Sequence, residues 1–306
     1  MMPGSDVLLG IINLYKPTGK TSHDMVSFVR RTLNIKRVGH AGTLDPEASG
    51  VLPVLVGKAT ALSDLLTEKT KTYVATVQLG IETDTYDLTG TVIKTSDVRP
   101  TKAEIETAVS GFLGEISQLP PMYSAVKMNG KKLYELARQG LEIERKPRKV
   151  FIEHLRCFEF TEDSFKMEVR CSKGTYIRSL CYDIGKSLGT CAVMSALVRT
   201  QSGPFSLENA VSPEQVEEAM KQDKIADILL PPETVLTAYR AVTVPAHAVA
   251  KIKNGLRMRP AQLKIQDEVM GEIFRLYDEK ELLCLAKVIE SEEGPVLAIE
   301  KTFYQV

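Results

Sequence analysis

The stretch Gly39–Thr60, GHAGTLDPEASGVLPVLVGKAT, constrains the fold of this chain more than any other. Its uncharged run VLPVLV, residues 51–56, must be buried, as a strand or as part of a helix, and anchors whatever precedes it to the core. What precedes it is Asp45, pressed between Leu44 and Pro46 and set among Gly39, Gly42 and Gly50. Pro46 fixes its own φ and pushes Asp45 toward extended geometry, while the glycines permit turns and close backbone approach. A carboxylate on a backbone so prescribed reads as an Asx-type turn residue or as the working group of a catalytic loop.

The rest of the chain has the material to bury that run. With 306 residues and 43% hydrophobic content, it suits one large domain plus a small one. Its 39 basic and 39 acidic residues cancel, so bulk charge points to no polyanionic partner. Charge is nonetheless segregated, with eight Lys or Arg against three acidic residues over 122–149, and five against ten over 262–301. A basic middle fits phosphate contacts, and a solvated salt-balanced face has the same composition. Cys157, Cys171, Cys181, Cys191 and Cys284 form no C-x-x-C pair and lie in no His pattern, which argues against zinc and against a disulfide framework. No run approaches the ~18 apolar residues of a membrane span, and no basic segment with a long apolar stretch opens the chain. The expectation is a cytoplasmic chain with reduced thiols and no membrane contact.

Taken in order, Val7–Leu14 reads as a strand entering a turn at Tyr15–Gly19. The segment KPTGKTS that follows lacks the G-x-x-x-x-G-K-S/T spacing of a phosphate loop. Ser22 is expected to cap a helix whose Met25, Val26, Val29 and Leu33 share one face. Ala61–Leu66 reads as helical, and Lys69–Leu79 as a strand with Tyr73, Ala75, Val77 and Leu79 on one face. In GIETDTYDLTG, Asp84 and Asp87 read equally as solvated loop carboxylates or as members of a local hydrogen-bond network. Thr101 and Glu104 have capping-box spacing for a helix carrying Ile105, Val109 and Phe112. Asn129–Gly130 suits a hairpin turn and Lys131–Gln139 opens a helix, with Lys127, Lys131, Lys132 and Arg138 interleaved with Tyr123 and Tyr134. Val150–Phe160 and Ser164–Cys171 alternate as an antiparallel hairpin, Ile177, Leu180 and Ile184 mark a buried helix stripe, and Val193–Thr200 is a last core strand. On an ordinary helix Arg178 would be a surface charge. Ser212 and Gln215 open a further capped helix. From about Leu236, short alternating runs around Asn254–Gly255 and over 272–276, 282–288 and 296–300 suggest a small β-barrel.

These stretches, from KPTGKTS through GHAGTLDP, the K-x-Y that ends at Tyr73, GIETDTYDLTG, QLPPMYSAVKMNGKKLYELARQG and SKGTYIR, resemble in order the motifs of the TruB family of pseudouridine synthases, the bacterial tRNA pseudouridine-55 synthases. The resemblance covers residues 7 to about 205. It implies an α+β (mixed α/β) fold, with a catalytic domain over 1–235 built on an antiparallel sheet around a central cleft. Residues 236–306, by position and by the K-N-G turn, are similar to a PUA-type RNA-binding barrel. The implied reaction turns a uridine of the tRNA T-arm into pseudouridine, with no cofactor, no metal and no protein partner. Asp45 is implied as catalytic nucleophile, Tyr73 as the ring that stacks on the target base, and Arg178 as the partner of Asp45. His40, Lys16, Lys20, Tyr176 and Leu197 are implied at the substrate, with Leu197 lining the uracil pocket and His40 holding the flipped-out RNA.

The chemistry gives each role a motive. Base–aromatic stacking is worth roughly 1–3 kcal/mol and helps offset the unstacking of an extruded nucleotide. An arginine fork can hold a carboxylate bidentately and fix the oxygen that attacks. A covalent adduct and a glycal route both make use of Asp45. A tRNA-binding or folding-assisting protein with secondary catalysis is the alternative, and the guide-RNA-dependent synthases of archaea and eukaryotes are a related class with basic terminal extensions.

Overall fold

The computed structural model describes residues 8–304 except 125, 126, 129, 130, 138 and 142. The apolar run after Asp45 is a strand, Ser49–Val56, buried at every position. Burial on both faces explains why its sequence is continuously apolar rather than alternating. It pairs antiparallel with Gly10–Lys16 along its full length, Gly10 opposite Val56 and Lys16 opposite Gly50. From this pair the main sheet continues through Ala192–Ser202, Lys71–Leu79, Ser164–Cys171, Arg148–Phe158 and Gly114–Gln118, with Val38–His40 and Phe205–Ser206 pairing at its side. Among the described strands every pairing in this sheet is antiparallel except one. At Val198 with Ser49 and Arg199 with Gly50, the strands run parallel.

The helices Lys102–Ser110 and Ile177–Ser187 cover one face, closing a core that includes Phe165, Met167, Val169, Leu180 and Ile184. Gly185 permits the close approach, because a Cβ there would stand 2.5 Å from the Cβ of Ala192. A second core lies where Met25, Val26, Val29 and Leu33 pack on Ile12, Leu52 and Val54. The cap of that helix is Thr21 and not Ser22: the Thr21 hydroxyl accepts from the Asp24 amide while the Asp24 carboxylate accepts from the Thr21 amide. Ser22, one residue further in, is buried and bonds to Leu44, next to Asp45. The capping boxes at Thr101 and Ser212 form as the spacing predicts.

Lys127–Met128 pairs with Lys131–Lys132, and the predicted Asn129–Gly130 turn and Arg138 lie outside the described residues. The helix there runs only over Leu133–Ala137. The C-terminal strands Arg240–Thr243, Ile273–Tyr277, Leu282–Ile289 and Val296–Thr302 lie in that order in one open sheet, and no closed barrel forms among the described residues. The segment before Asn254, expected extended, is the helix Ala246–Lys253, with Ala248 and Ile252 buried at helical spacing. Leu282, Leu285 and Phe303 of this region share a core with Ile11, Leu55 and Leu62. Lys301 adds an ion pair to Asp64 at 2.8 Å. Among the described residues no helix is long and apolar enough to cross a membrane.

Candidate active site

Asp45 sits in the link between Val38–His40 and the buried strand, and the segment Lys16–Ser22 brackets it. The Ser22 hydroxyl accepts from the Leu44 amide at 2.9 Å and donates to the Leu44 carbonyl at 3.2 Å. On the other flank the Pro46 carbonyl accepts from the Gly19 amide at 2.9 Å and from Lys16 Nζ at 3.0 Å. Lys16 is fully buried, and its ammonium also donates to the carbonyls of Pro17 and Lys20. Burial pulls its pKa down to about 8, against the raising influence of Asp45 and Glu47. A residue predicted to meet substrate is thus a strut beneath the loop, while Lys20 stands exposed beside it.

Arg178 reaches the loop from the first turn of Ile177–Ser187. The turn is fixed by Gln118, whose side chain accepts from the Tyr176 amide at 2.7 Å and donates to the Tyr176 carbonyl at 3.0 Å. Arg178 Nε lies 2.9 Å from Asp45 Oδ2, with the arginine side chain 6% exposed and the aspartate 41%. The two-pronged hold expected from a guanidinium fork is not made. Nη1 donates to the Thr85 carbonyl at 3.1 Å and stands 3.6 Å from Asp87 Oδ2, while Nη2 donates to the Tyr123 carbonyl at 2.8 Å. Nε is left for Asp45 Oδ2, and among the described residues Asp45 Oδ1 has no hydrogen-bond partner. Asp87 belongs to a hydrogen-bond network: its Oδ1 accepts from the Thr85 hydroxyl at 2.7 Å and from the amide and hydroxyl of Thr89. Asp84, exposed, accepts from the Thr91 amide at 2.8 Å.

Tyr73 is half-buried on Lys71–Leu79, with Val169 opposite on one side and Arg199 on the other. Burial raises its phenol above the usual range, as it does for Tyr176, and both also feel the Asp45 charge. Leu197 faces Ala75 and packs with Leu44 and Ala48. His40 is half-buried, its Nδ1 has no hydrogen-bond partner among the described residues, and burial followed by the Arg199 charge lowers its pKa. Of the sequence-predicted residues, Arg178 touches Asp45, Tyr73 and Tyr176 feel the Asp45 charge and Leu197 packs with Leu44, whereas Lys16 is occupied below the loop. A surface groove of about 830 Å³ lined by Arg99, Phe112 and Leu188 contains none of them.

Arg199, which sequence reasoning passed over, is almost wholly buried at the same place. Its Nε donates to the Val51 carbonyl at 2.7 Å and its Nη2 to the Gly42 carbonyl at 3.0 Å. The signal was there: in the alternating strand, position 199 shares the inward face with Leu197. The whole arrangement presents one half-exposed carboxylate held at one oxygen by Arg178, beside an apolar cluster that includes Leu44 and Leu197 with Tyr73 packed against it.

The model described as the N-terminal domain of TruB family pseudouridylate synthase matches residues 30–177, and that of the tRNA pseudouridylate synthase B C-terminal domain matches residues 178–237. Proteins named tRNA pseudouridine synthase B are similar over most of their length. That of Clostridium perfringens (strain SM101 / Type A) is 45% identical over 88% of this chain and 91% of its own. That of Alkaliphilus oremlandii (strain OhILAs) is 46% identical over 90% of this chain and 91% of its own. A solved chain from an H/ACA RNP bound to a substrate RNA containing 2'-deoxyuridine superposes with a TM-score of 0.73 at 27% identity, over 97% of this chain and 85% of that one. Two family models met in sequence, and identity near 45% across nearly nine-tenths of the chain, place it in the TruB family of pseudouridylate synthases.

Proposed function

We propose that this chain isomerises uridine to pseudouridine at position 55 of the tRNA T-loop, with Asp45 as nucleophile. The N-glycosidic bond breaks, the uracil turns, and a bond forms from its C5 to C1′ of the same ribose. No electrons are gained or lost and no second substrate receives a group, so the residues have two tasks. One is attack at the reacting centre, for which the free oxygen of Asp45 is available. The other is keeping the detached base in place, for which the Tyr73 ring and the Leu197 side chain serve as floor and wall. RNA loops present bases that splay out, which suits a site built for a flipped nucleotide. His40, whose pKa burial lowers, Lys20 and Tyr176 line the approach, and Lys16 holds the loop from below.

The observation that carries this reading is the 2.9 Å contact between buried Arg178 and half-exposed Asp45. In the same reading residues 1–235 form the catalytic domain and 236–306 a PUA-like module. Asp45→Asn is expected to abolish tritium release from 5-tritiated tRNA while the Kd for T-arm RNA stays within about twofold. Turnover by that variant near the unmodified rate refutes the assignment. The assay uses free tRNA with no guide RNA, and activity there separates the chain from guide-dependent synthases.

A further inference from the structure

Resting on the activity proposed above, we infer that Arg199 is a positioning residue that fixes the nucleophile loop and the base-stacking tyrosine at one separation. Three observations lead there. The strand Ala192–Ser202 is the bridge in the sheet between Ser49–Val56 and Lys71–Leu79, and Arg199 is the residue paired with Gly50 on one side and Tyr73 on the other. Its guanidinium then ties both neighbours from within. Nε and Nη2 donate to the carbonyls of Val51 and Gly42, at the two ends of the Asp45 loop, and the Tyr73 phenol feels the charge of the same guanidinium.

The junction leaves no slack for an alternative. Gly50 has φ +109°, and a Cβ there would stand 2.2 Å from the Arg199 carbonyl oxygen. A Cβ on Gly42, at φ +81°, would stand 3.4 Å from Arg199 Nη1. At Gly50 the Arg199 backbone leaves room for hydrogen alone, and at Gly42 the positive φ is what calls for glycine. Arg178 holds the nucleophile's oxygen, and Arg199 holds the frame in which that oxygen faces the ring. A lysine donates from a single point, whereas the planar guanidinium reaches the Val51 and Gly42 carbonyls from two separate nitrogens held in fixed geometry.

The test compares Arg199→Met, Arg199→Lys, Tyr73→Phe and the Arg199→Met/Tyr73→Phe double variant in single-turnover tritium release, with T-arm RNA affinity measured alongside. Arg199→Met is expected to slow the chemical step about 100-fold, as a displacement of order 1 Å does, with Kd within about twofold. Arg199→Lys is expected to restore part of that rate. In the Tyr73→Phe background Arg199→Met is expected to cost less, because the phenol on which the Arg199 charge acts is already gone. A loss under about threefold in folded Arg199→Met, a matching loss of affinity, or full additivity overturns the inference. Where Arg199→Met fails to fold, an unmodified rate in Arg199→Lys overturns it instead. Hydrogen exchange supplies a reading independent of activity: Arg199→Met speeds exchange over residues 39–50 and leaves 273–302 unchanged. Exchange that is unaltered, or raised equally in both, counts against positioning even if the wild-type chain proves inactive on tRNA, an outcome that refutes the proposed reaction and not the brace.

Discussion

At the scale of single residues, the site is a matter of who holds which oxygen. Arg178 spends its guanidinium on Asp45, Asp87, Thr85 and Tyr123, a set that no ammonium can satisfy together. Arg178→Lys is therefore expected to lower single-turnover rate about 100-fold with T-arm RNA affinity nearly unchanged, read by tritium release against filter binding. Equal losses in both would make Arg178 an RNA contact instead. A second expectation concerns Ser22. Ser22→Ala leaves the buried Leu44 amide without its partner, which costs about 1–3 kcal/mol in a urea melt and slows turnover by loosening the residue next to Asp45. The pairing of Asp45 with Arg178 was legible through motif resemblance, because residue type and spacing survive in sequence. Arg178's burial was not, since position on the helix argued for solvent. Asp87 stood undecided because its role depends on the fold of an eleven-residue loop around threonines. Lys16 was placed at the substrate because sequence shows a lysine's charge and hides which carbonyls surround it.

At the scale of elements, local chemistry predicted well wherever one periodicity was present. The strands Lys71–Leu79 and Ser164–Cys171 and the capping boxes at Thr101 and Ser212 follow directly from alternation and spacing. The C-terminal barrel did not follow. Residues 246–253 mix Ala, Val and Ile so densely that an alternating reading and a four-residue reading both fit, and burial of Val244, Ala248 and Ile252 shows which one tertiary packing chose. The helix that delivers Arg178 depends on Gly185, where an added Cβ meets the Ala192 amide nitrogen at 2.7 Å as well as its side chain. Gly185→Ala gains helix propensity and loses more by overpacking, so a net destabilisation of about 1–3 kcal/mol is expected in urea. The same variant shifts Arg178 off Asp45 and lowers turnover. A melt unchanged from wild type would show that the helix can ride away from the strand at no cost.

At the scale of the whole molecule, the chain has five cysteines, four of them buried and none paired. Burial raises the thiols of Cys157 and Cys284 to about 12 and that of Cys171 to about 11. The unfolded chain ionises these thiols near pH 9 while the native chain keeps them protonated, so their contribution is complete below that pH and is lost as pH climbs toward 11–12. Lys16 and Lys71, both lowered to about 8 by burial, pull the other way between 8 and their ordinary 10.5, and the thiols outnumber them. The unfolding free energy from urea melts is expected to fall between pH 9 and 10.5, by roughly 1.4 kcal/mol per pH unit for each proton of difference, and that of Cys284→Val is expected to fall less. The sheet order has a last consequence, which concerns time. Gly42 and Arg199 touch across 157 positions of sequence. At about 5–20 residues per second of synthesis, the Asp45 loop waits roughly 8–30 s before the arginine that touches it across the sheet exists. For most of that interval the nascent chain carries Asp45 without Arg178 as well, so the site can assemble only late in synthesis.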